Sequence, residues 1–465
     1  IQQNITNSKN QFGNMRTLTS TNDEGETVTH EFETQVSGTL IDNATGKVLA
    51  FVGGRDYAES NFNNAFNSRR PSGSVIKPLI VYGPALAENF ITPATVIPDI
   101  TYTVPDGTHT PKNFGSTTNT WRDARHWLTI SQNIPTIRLY VDMLDNGINP
   151  QKYFRTMGIG ADVISDEEFY FPSSSLGGFS SGPTATELAG AFAAIGNKGV
   201  FNSPYVIERI ENANGEVIYE HELNPTRVWS ETANYILYDM MRSVTTSGTG
   251  TGARASLNFS TDLAGKTGTS DETMDVWFAG ITPKVSLVTW MGYGHNDLSL
   301  QFYNGMTPPQ RNIRNWANIM NTVYSLKPEL VGANERFTPP NDNSVTSSSI
   351  LVETGMKPGE VKLPGGGTFD ISGSTRTEMF ARNNIPKNTV YDFARGASSK
   401  ELADFWKKYL EDNAPEEEDE EEEEPDEDEA DDEETPTPTP PAQDEADDEA
   451  ENTEPPAADS DNSDD

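Results

Sequence analysis

The placement of acidic residues divides this chain before any other feature does. Of 465 residues, 71 are Asp or Glu and 33 are Lys or Arg, a formal net charge of −38. Residues 413–465 hold 28 of those acids and neither Lys nor Arg. A stretch of Glu, Asp, Pro, Thr and Ala buries too little apolar surface to offset the entropy of ordering it, so this tail is expected to be disordered. Residues 1–412 carry a net charge of only −10 and are long enough for a sizeable core. The same distribution disfavours nucleic-acid binding, since no basic face is visible to neutralise phosphates.

The chain has no Cys. That removes disulfides, thiolate metal sites and a cysteine nucleophile from consideration. No run of about 18 apolar residues occurs, so no membrane span is expected within the sequence. It opens on Ile1 without a signal-like segment and reads as a piece of a longer polypeptide, with any targeting or anchoring part upstream.

Strand-like runs at 35–41 and 48–52 flank the turn-rich Asp42-Asn43-Ala44-Thr45-Gly46 and predict a hairpin. Runs at 263–270, 276–281 and 285–293 follow one another through short links, which favours antiparallel pairing. The spacing predicts a helix over 74–87, with Pro78 tolerated in its first turn and a kink or end at Pro84. Two helices are expected across 123–144, meeting at Ser131-Gln132-Asn133 ahead of Pro135. A further helix over 183–195 opens on Thr184, three residues before Glu187, and stops at Gly196. Helices at 232–244 and 311–326 complete an α+β layered fold, with helices on both sides of about five antiparallel strands. Residues 1–34 are polar and read as a linker, and 35–327 form the main domain. The Pro-, Gly- and Ser-rich stretch 328–412 reads as a small appended module, with strands at 347–352 and 367–371 and a helix at 399–410. No internal repeat is visible.

Three short motifs are able to carry chemistry. Ser74 and Lys77 stand one turn apart on one face at the start of a helix. A serine hydroxyl needs a base to become a nucleophile. Lysine serves as that base only when burial or a neighbouring cation lowers its pKa from about 10.4. The helix start also offers backbone N–H groups to an oxyanion. Of the 15 lysines, only Lys77 has a Ser three residues before it. Taken alone, the pair reads more readily as a surface lysine and a capping serine. Lys266-Thr267-Gly268-Thr269 lies in a predicted strand, where Gly268 permits close backbone approach and an exposed edge suits an extended peptide. Its cation and hydroxyls suit a carboxylate, but a polar strand end with a bulge glycine is also open. Ser131-Gln132-Asn133 would add a second hydroxyl and an amide near Lys77. Its spacing is the least informative, because Ser8, Ser20, Ser256 and Ser460 also precede an Asn by two.

Other clusters offer less. His30, His109, His126, His221 and His295 have no metal-like spacing and read as surface or packing residues. Asp166-Glu167-Glu168 reads as a solvated loop. Trp121, Trp127, Trp277 and Trp290 are expected to fill the core or line a cleft.

The three motifs, in this order, resemble the transpeptidase domain of bifunctional, class A penicillin-binding proteins of Gram-positive type. Segments 62–86, 128–140, 182–207 and 264–283 carry the resemblance further. It covers about 35–326, and 328–412 more weakly. The resemblance implies the penicillin-binding protein/β-lactamase-like serine transpeptidase fold, acting on the D-Ala-D-Ala ends of peptidoglycan stem peptides. Ser74 would be the acylated nucleophile and Lys77 its base, with Ser131 relaying a proton to the leaving amine. Asn133 would hold Lys77 and the substrate amide, while Lys266 and Thr267 would orient the motif and the terminal carboxylate beside Gly268. The backbone N–H groups of Ser74 and Thr269 would form the oxyanion hole. The partners implied are stem peptides, β-lactams and other cell-wall synthesis proteins, at the outer face of the bacterial cytoplasmic membrane. No cofactor or metal is implied.

Two departures stand out. The family often reads Pro-Gly-Ser where this chain has Pro71-Ser72-Gly73-Ser74, which predicts a locally different loop. Class A proteins also carry a membrane anchor and a glycosyltransferase domain upstream, with no counterpart here, so glycan polymerisation would belong to a longer parent. A D-Ala-D-Ala carboxypeptidase uses the same residues, and a serine β-lactamase would need a water-activating carboxylate that the sequence does not single out. The non-enzyme alternatives are a β-lactam sensor and an acidic wall scaffold.

Overall fold

The computed structural model describes residues 12–414 apart from Asn14, Asp106, Thr108 and Asn296. The tail expected to be disordered lies, from residue 415 on, outside the described residues. At the centre is a five-stranded antiparallel sheet. Its strands are β1 (Thr34–Asp42), β2 (Val48–Val52), β3 (Ala264–Thr269), β4 (Asp275–Ile281) and β5 (Val285–Tyr293), in the spatial order β3-β4-β5-β1-β2. Register is fixed by pairs such as Lys266 with Ala279 and Trp277 with Trp290.

The sheet is covered on both faces, so β4 and β5 are buried along their whole lengths and read as near-continuous apolar runs. Alternate residues still go to opposite sides. Trp277, Ala279, Ile281, Val288 and Trp290 join one core, while Val276, Phe278, Leu287 and Met291 join a second. The helices that matter to the site are α1 (Ala124–Ile130), α2 (Ile134–Asp145), α3 (Ala185–Gly196), α4 (Glu231–Ser247), α5 (Pro308–Leu326) and α6 (Ser399–Asp412). The first core draws on α1 to α4. Helix α3 opens with a reciprocal capping box between Thr184 and Glu187, as its sequence predicts. Helix α5 builds the second core, where Trp316 is fully buried. Its indole donates to Leu287 O at 2.9 Å and meets the Phe278 ring edge-on at 5.2 Å.

Three expectations need correction. Residues 74–87 do not form one α-helix broken at Pro84. A 3-10 turn over Gly73–Ile76 passes into a π-type turn over Pro78–Tyr82 and then α-helix over Gly83–Ala87. Pro84 has no N–H to donate, and the bonding shifts to five residues just before it, with Gly83 N–H donating to Pro78 O. Residues before β1 are not featureless: Arg16–Thr21 pairs with Thr27–Phe32 in a largely exposed hairpin, and Phe12 is buried in the second core. Helix α3 is capped by Asn197, one residue beyond the expected glycine.

Toward the C-terminus, Val345–Leu351 pairs with Thr375–Ala381, and Gly359–Lys362 with Thr368–Ile371. Leu351, Val361, Ile371, Leu402 and Trp406 form an apolar cluster there with Val96. The described residues up to Glu411 make one compact unit. Among the described residues no helix is long and apolar enough to cross a membrane. Replacing Trp316 by Ala is expected to cost about 3–5 kcal/mol through the cavity it leaves, measured by urea unfolding. A loss of about 0.5 kcal/mol or less, the range of surface changes, would contradict this account of how α5 is held.

Candidate active site

The 3-10 turn sets the first pair. Lys77 N–H donates to Ser74 O, an i to i+3 bond, and side chains at that offset eclipse on one face. Ser74 is half-buried on the wall of a cleft of about 880 Å³, while Lys77 is fully buried behind it. The loop entering the turn is pinned to the sheet, with the Trp277 indole donating to Pro71 O at 3.0 Å. Arg70 donates to Tyr293 O at 2.8 Å and lies over the Trp290 ring.

The second motif closes on Lys77 from the opposite side. Helix α1 ends at Ser131, which takes the left-handed conformation at φ 62 and ψ 33, a cost of roughly 1–2 kcal/mol for a residue with a Cβ. The turn aims three oxygens at one ammonium. Lys77 Nζ donates to Ser131 O at 2.7 Å, Gln132 O at 2.9 Å and Asn133 Oδ1 at 2.9 Å. The Ser131 hydroxyl turns the other way and accepts from Lys266 Nζ at 2.6 Å. One serine therefore joins both lysines. Among the described residues no hydrogen bond runs from Lys77 Nζ to Ser74 Oγ.

The third motif is on β3, one of the sheet's two edge strands, where all but Thr269 is buried. Lys266 also donates to Thr267 O at 3.0 Å, and the Thr267 hydroxyl meets Thr249 Oγ1 at 2.7 Å. The serine turn packs directly on this strand, and two glycines make that possible. A Cβ on Gly268 would lie 2.6 Å from Ser72 O and 2.9 Å from Val75 Cβ. Gly73 has φ 53, and a Cβ there would overlap the backbone of Thr269. The local departure at residues 71–74 thus falls where only glycine fits before the serine. Ser74, Asn133 and Thr269 line the cleft.

Burial and charge act together on the two lysines. Burial, and then the Lys266 cation, push Lys77 well below the ordinary lysine value; burial pushes Lys266 down to about 7. They titrate as a coupled pair.

Several supporting residues carry no sequence motif. Asp99 is fully buried and accepts from Gln132 Nε2 at 2.8 Å, Asn113 Nδ2 at 2.9 Å, and the Thr118 N–H and hydroxyl at 2.9 and 2.8 Å. Burial pushes its carboxyl up, but these donors outweigh that and hold it below the usual range. Asn113 Oδ1 accepts from the N–H groups of Asn133 and Ile134. Of the histidines, His109 lines the cleft. The 166–168 carboxylates are not merely solvated: Asp166 pairs with Arg155 at 2.7 Å, and Glu168 accepts from the N–H groups of Ser165 and Ser180. Trp127, Trp277 and Trp290 are core residues, and Trp121 packs against Phe393 and Phe405. Among the described residues no group of His, Asp and Glu is arranged to hold a metal ion.

Residues 36–308 match the family described as the penicillin-binding protein transpeptidase domain. Penicillin-binding protein 1F of Bacillus subtilis (strain 168) is 35% identical over 285 residues, which are 59% of this chain and 37% of that protein. Penicillin-binding protein 1A of Clostridium tetani (strain Massachusetts / E88) is 32% identical over 272 residues, 56% of this chain and 34% of that one. The chain thus spans little more than a third of these two relatives. Among solved structures, penicillin-binding protein 1A from Haemophilus influenzae shares the fold, with a TM-score of 0.62 at 22% identity over 80% of this chain and 57% of that one.

Removing the Lys266 charge, as in Lys266→Met, takes away a like charge facing Lys77, so Lys77 is expected to titrate at higher pH. NMR of isotopically labelled lysine side chains measures this. An unchanged or lower midpoint would show that the two cations do not interact.

Proposed function

Because the chain belongs to the penicillin-binding protein transpeptidase family, we propose that it cross-links peptidoglycan through an acyl-enzyme on Ser74. The observation that carries this reading is the bridge of Lys77, Ser131 and Lys266 behind a cleft lined by Ser74, Asn133 and Thr269. The substrate is a stem peptide ending in D-Ala-D-Ala, laid along the edge of β3. Thr267, Thr269 and Lys266 suit its terminal carboxylate.

Ser74 Oγ attacks the carbonyl of the penultimate D-Ala while its proton passes to Lys77, the neutral base that burial and a neighbouring cation favour. For that transfer Lys77 must release one of its three acceptors, an adjustment that substrate binding makes as the site closes. The backbone N–H groups of Ser74 and Thr269 receive the oxyanion. The tetrahedral intermediate collapses, its bond to the leaving nitrogen breaks, and Ser131 Oγ–H protonates the departing D-Ala while taking a proton in turn from the Lys266 ammonium that donates to it at 2.6 Å. An amine from a neighbouring stem then attacks the ester, and the same groups run in reverse to free Ser74. A β-lactam carbonyl enters the same path and leaves Ser74 acylated.

The carboxypeptidase alternative gives the same acyl group to water. Glu168, whose carboxylate accepts from the N–H groups of Ser165 and Ser180, is not among the residues that line the cleft. Transfer to an amine is therefore the reading favoured here. The setting proposed is the outer face of the bacterial cytoplasmic membrane, against the cell wall.

Incubation with a labelled penicillin and peptide mapping should place one label on Ser74, absent in Ser74→Ala and slowed on the order of 100-fold or more in Lys77→Ala. A label elsewhere, or none on folded protein, would refute the assignment. Product analysis with a stem-peptide donor and an added amine should yield the cross-linked product; free acid alone would favour the carboxypeptidase.

A further inference from the structure

The left-handed Ser131 turn hangs between α1 and α2, and both helices are gripped from the same C-terminal stretch. Arg125 lies six residues before Ser131. Its guanidinium donates to Glu378 through Nε at 2.9 Å and through a terminal nitrogen at 2.7 Å. It also bonds the Asp239 side chain and carbonyl on α4, at 2.7 and 3.0 Å. Glu378 is buried in the strand Thr375–Ala381 and also accepts from Arg376 at 2.7 Å and from the Met379 N–H. Arg376 in turn reaches Asp123, at 3.0 Å, the residue whose side chain caps α1 by accepting from His126 N–H.

The second grip mirrors the first. Arg138, five residues after Asn133, is fully buried and donates to both oxygens of Glu401, at 2.7 and 3.1 Å, and to Gly396 O at 2.8 Å. Glu401 stands in the first turn of α6 and accepts from Ser398 N–H. Paired, two-pronged Arg–carboxylate contacts fix orientation as well as distance. A strained residue such as Ser131 persists only where the surroundings over-determine it.

We propose that Glu378 and Glu401 are positioning residues, which hold the Ser131–Asn133 turn in the geometry that acylation of Ser74 requires. Neither touches substrate; both act through an arginine on a flanking helix. The inference rests on the acyl-enzyme reading above and adds that residues 345–412 are part of the catalytic frame.

The test uses the full chain with Glu378→Gln and Glu401→Gln, singly and together, and a labelled penicillin followed by rapid mixing. The expected result is a first-order acylation constant lowered on the order of 10-fold in each single variant, with noncovalent affinity kept. Amide exchange of the 128–136 segment should be faster in the same variants. A lowered melting temperature with acylation constant and amide exchange unchanged would overturn the proposal and leave the pairs purely structural. If Glu378→Gln fails to fold, the less buried Glu401→Gln decides the matter alone. If the wild type takes no label on Ser74, the acyl-enzyme reading fails, and amide exchange still tells whether the grips hold the turn.

Discussion

Two lysine side chains buried within reach of one serine impose the condition that the rest of this structure meets. Burying an unpaired cation is costly, and two cations so close disfavour each other further. Lys77 answers with three oxygens from one turn, and Lys266 with a hydroxyl and its neighbour's carbonyl. The left-handed Ser131 turns its carbonyl to one lysine and its hydroxyl to the other. A right-handed residue there would continue α1 and send the carbonyl along the helix axis instead.

The sheet supplies the opposing wall. Its edge strand has one hydrogen-bonded neighbour, and the serine turn rests against it through two residues without side chains. That contact brings Ser74 and Thr269 onto the same cleft. The indole of Trp277, which reaches from β4, the neighbour of the edge strand β3, to Pro71, ties the approach loop to the same wall.

Much of this was legible in the sequence, and the rest was hidden for physical reasons. Ser74 and Lys77 stood out because no other lysine has a Ser one tight turn before it, although the pair alone did not decide between a site and a cap. The five strands were readable from apolar runs and short links, and α3 from its capping pair. The convergence of residues 74, 131 and 266 was reachable only through resemblance, since no local pattern reports which distant turns meet. Asp99 and Asn113 escaped notice because Asp99 ends a strand of only four residues and Asn113 lies in a loop without periodicity, and both work largely through N–H groups and amides. The re-registered helix after Lys77 was missed because a proline's effect on the preceding turns depends on whether the chain breaks or shifts its bonding there. The exposed N-terminal hairpin was missed because its Thr-rich strands offer few apolar residues, Leu18, Val28 and Phe32, to mark a buried face.

The abutment of Gly73 on Thr269 and of Gly268 on the serine turn also limits how such a pocket can diversify. Its floor is backbone against backbone, so an added methyl there has no rotamer to escape into. Variation in what the pocket accepts is left to its exposed margins, such as His109, Thr110, Lys112, Ser173 and Ser180, where a changed side chain meets solvent before it meets the main chain.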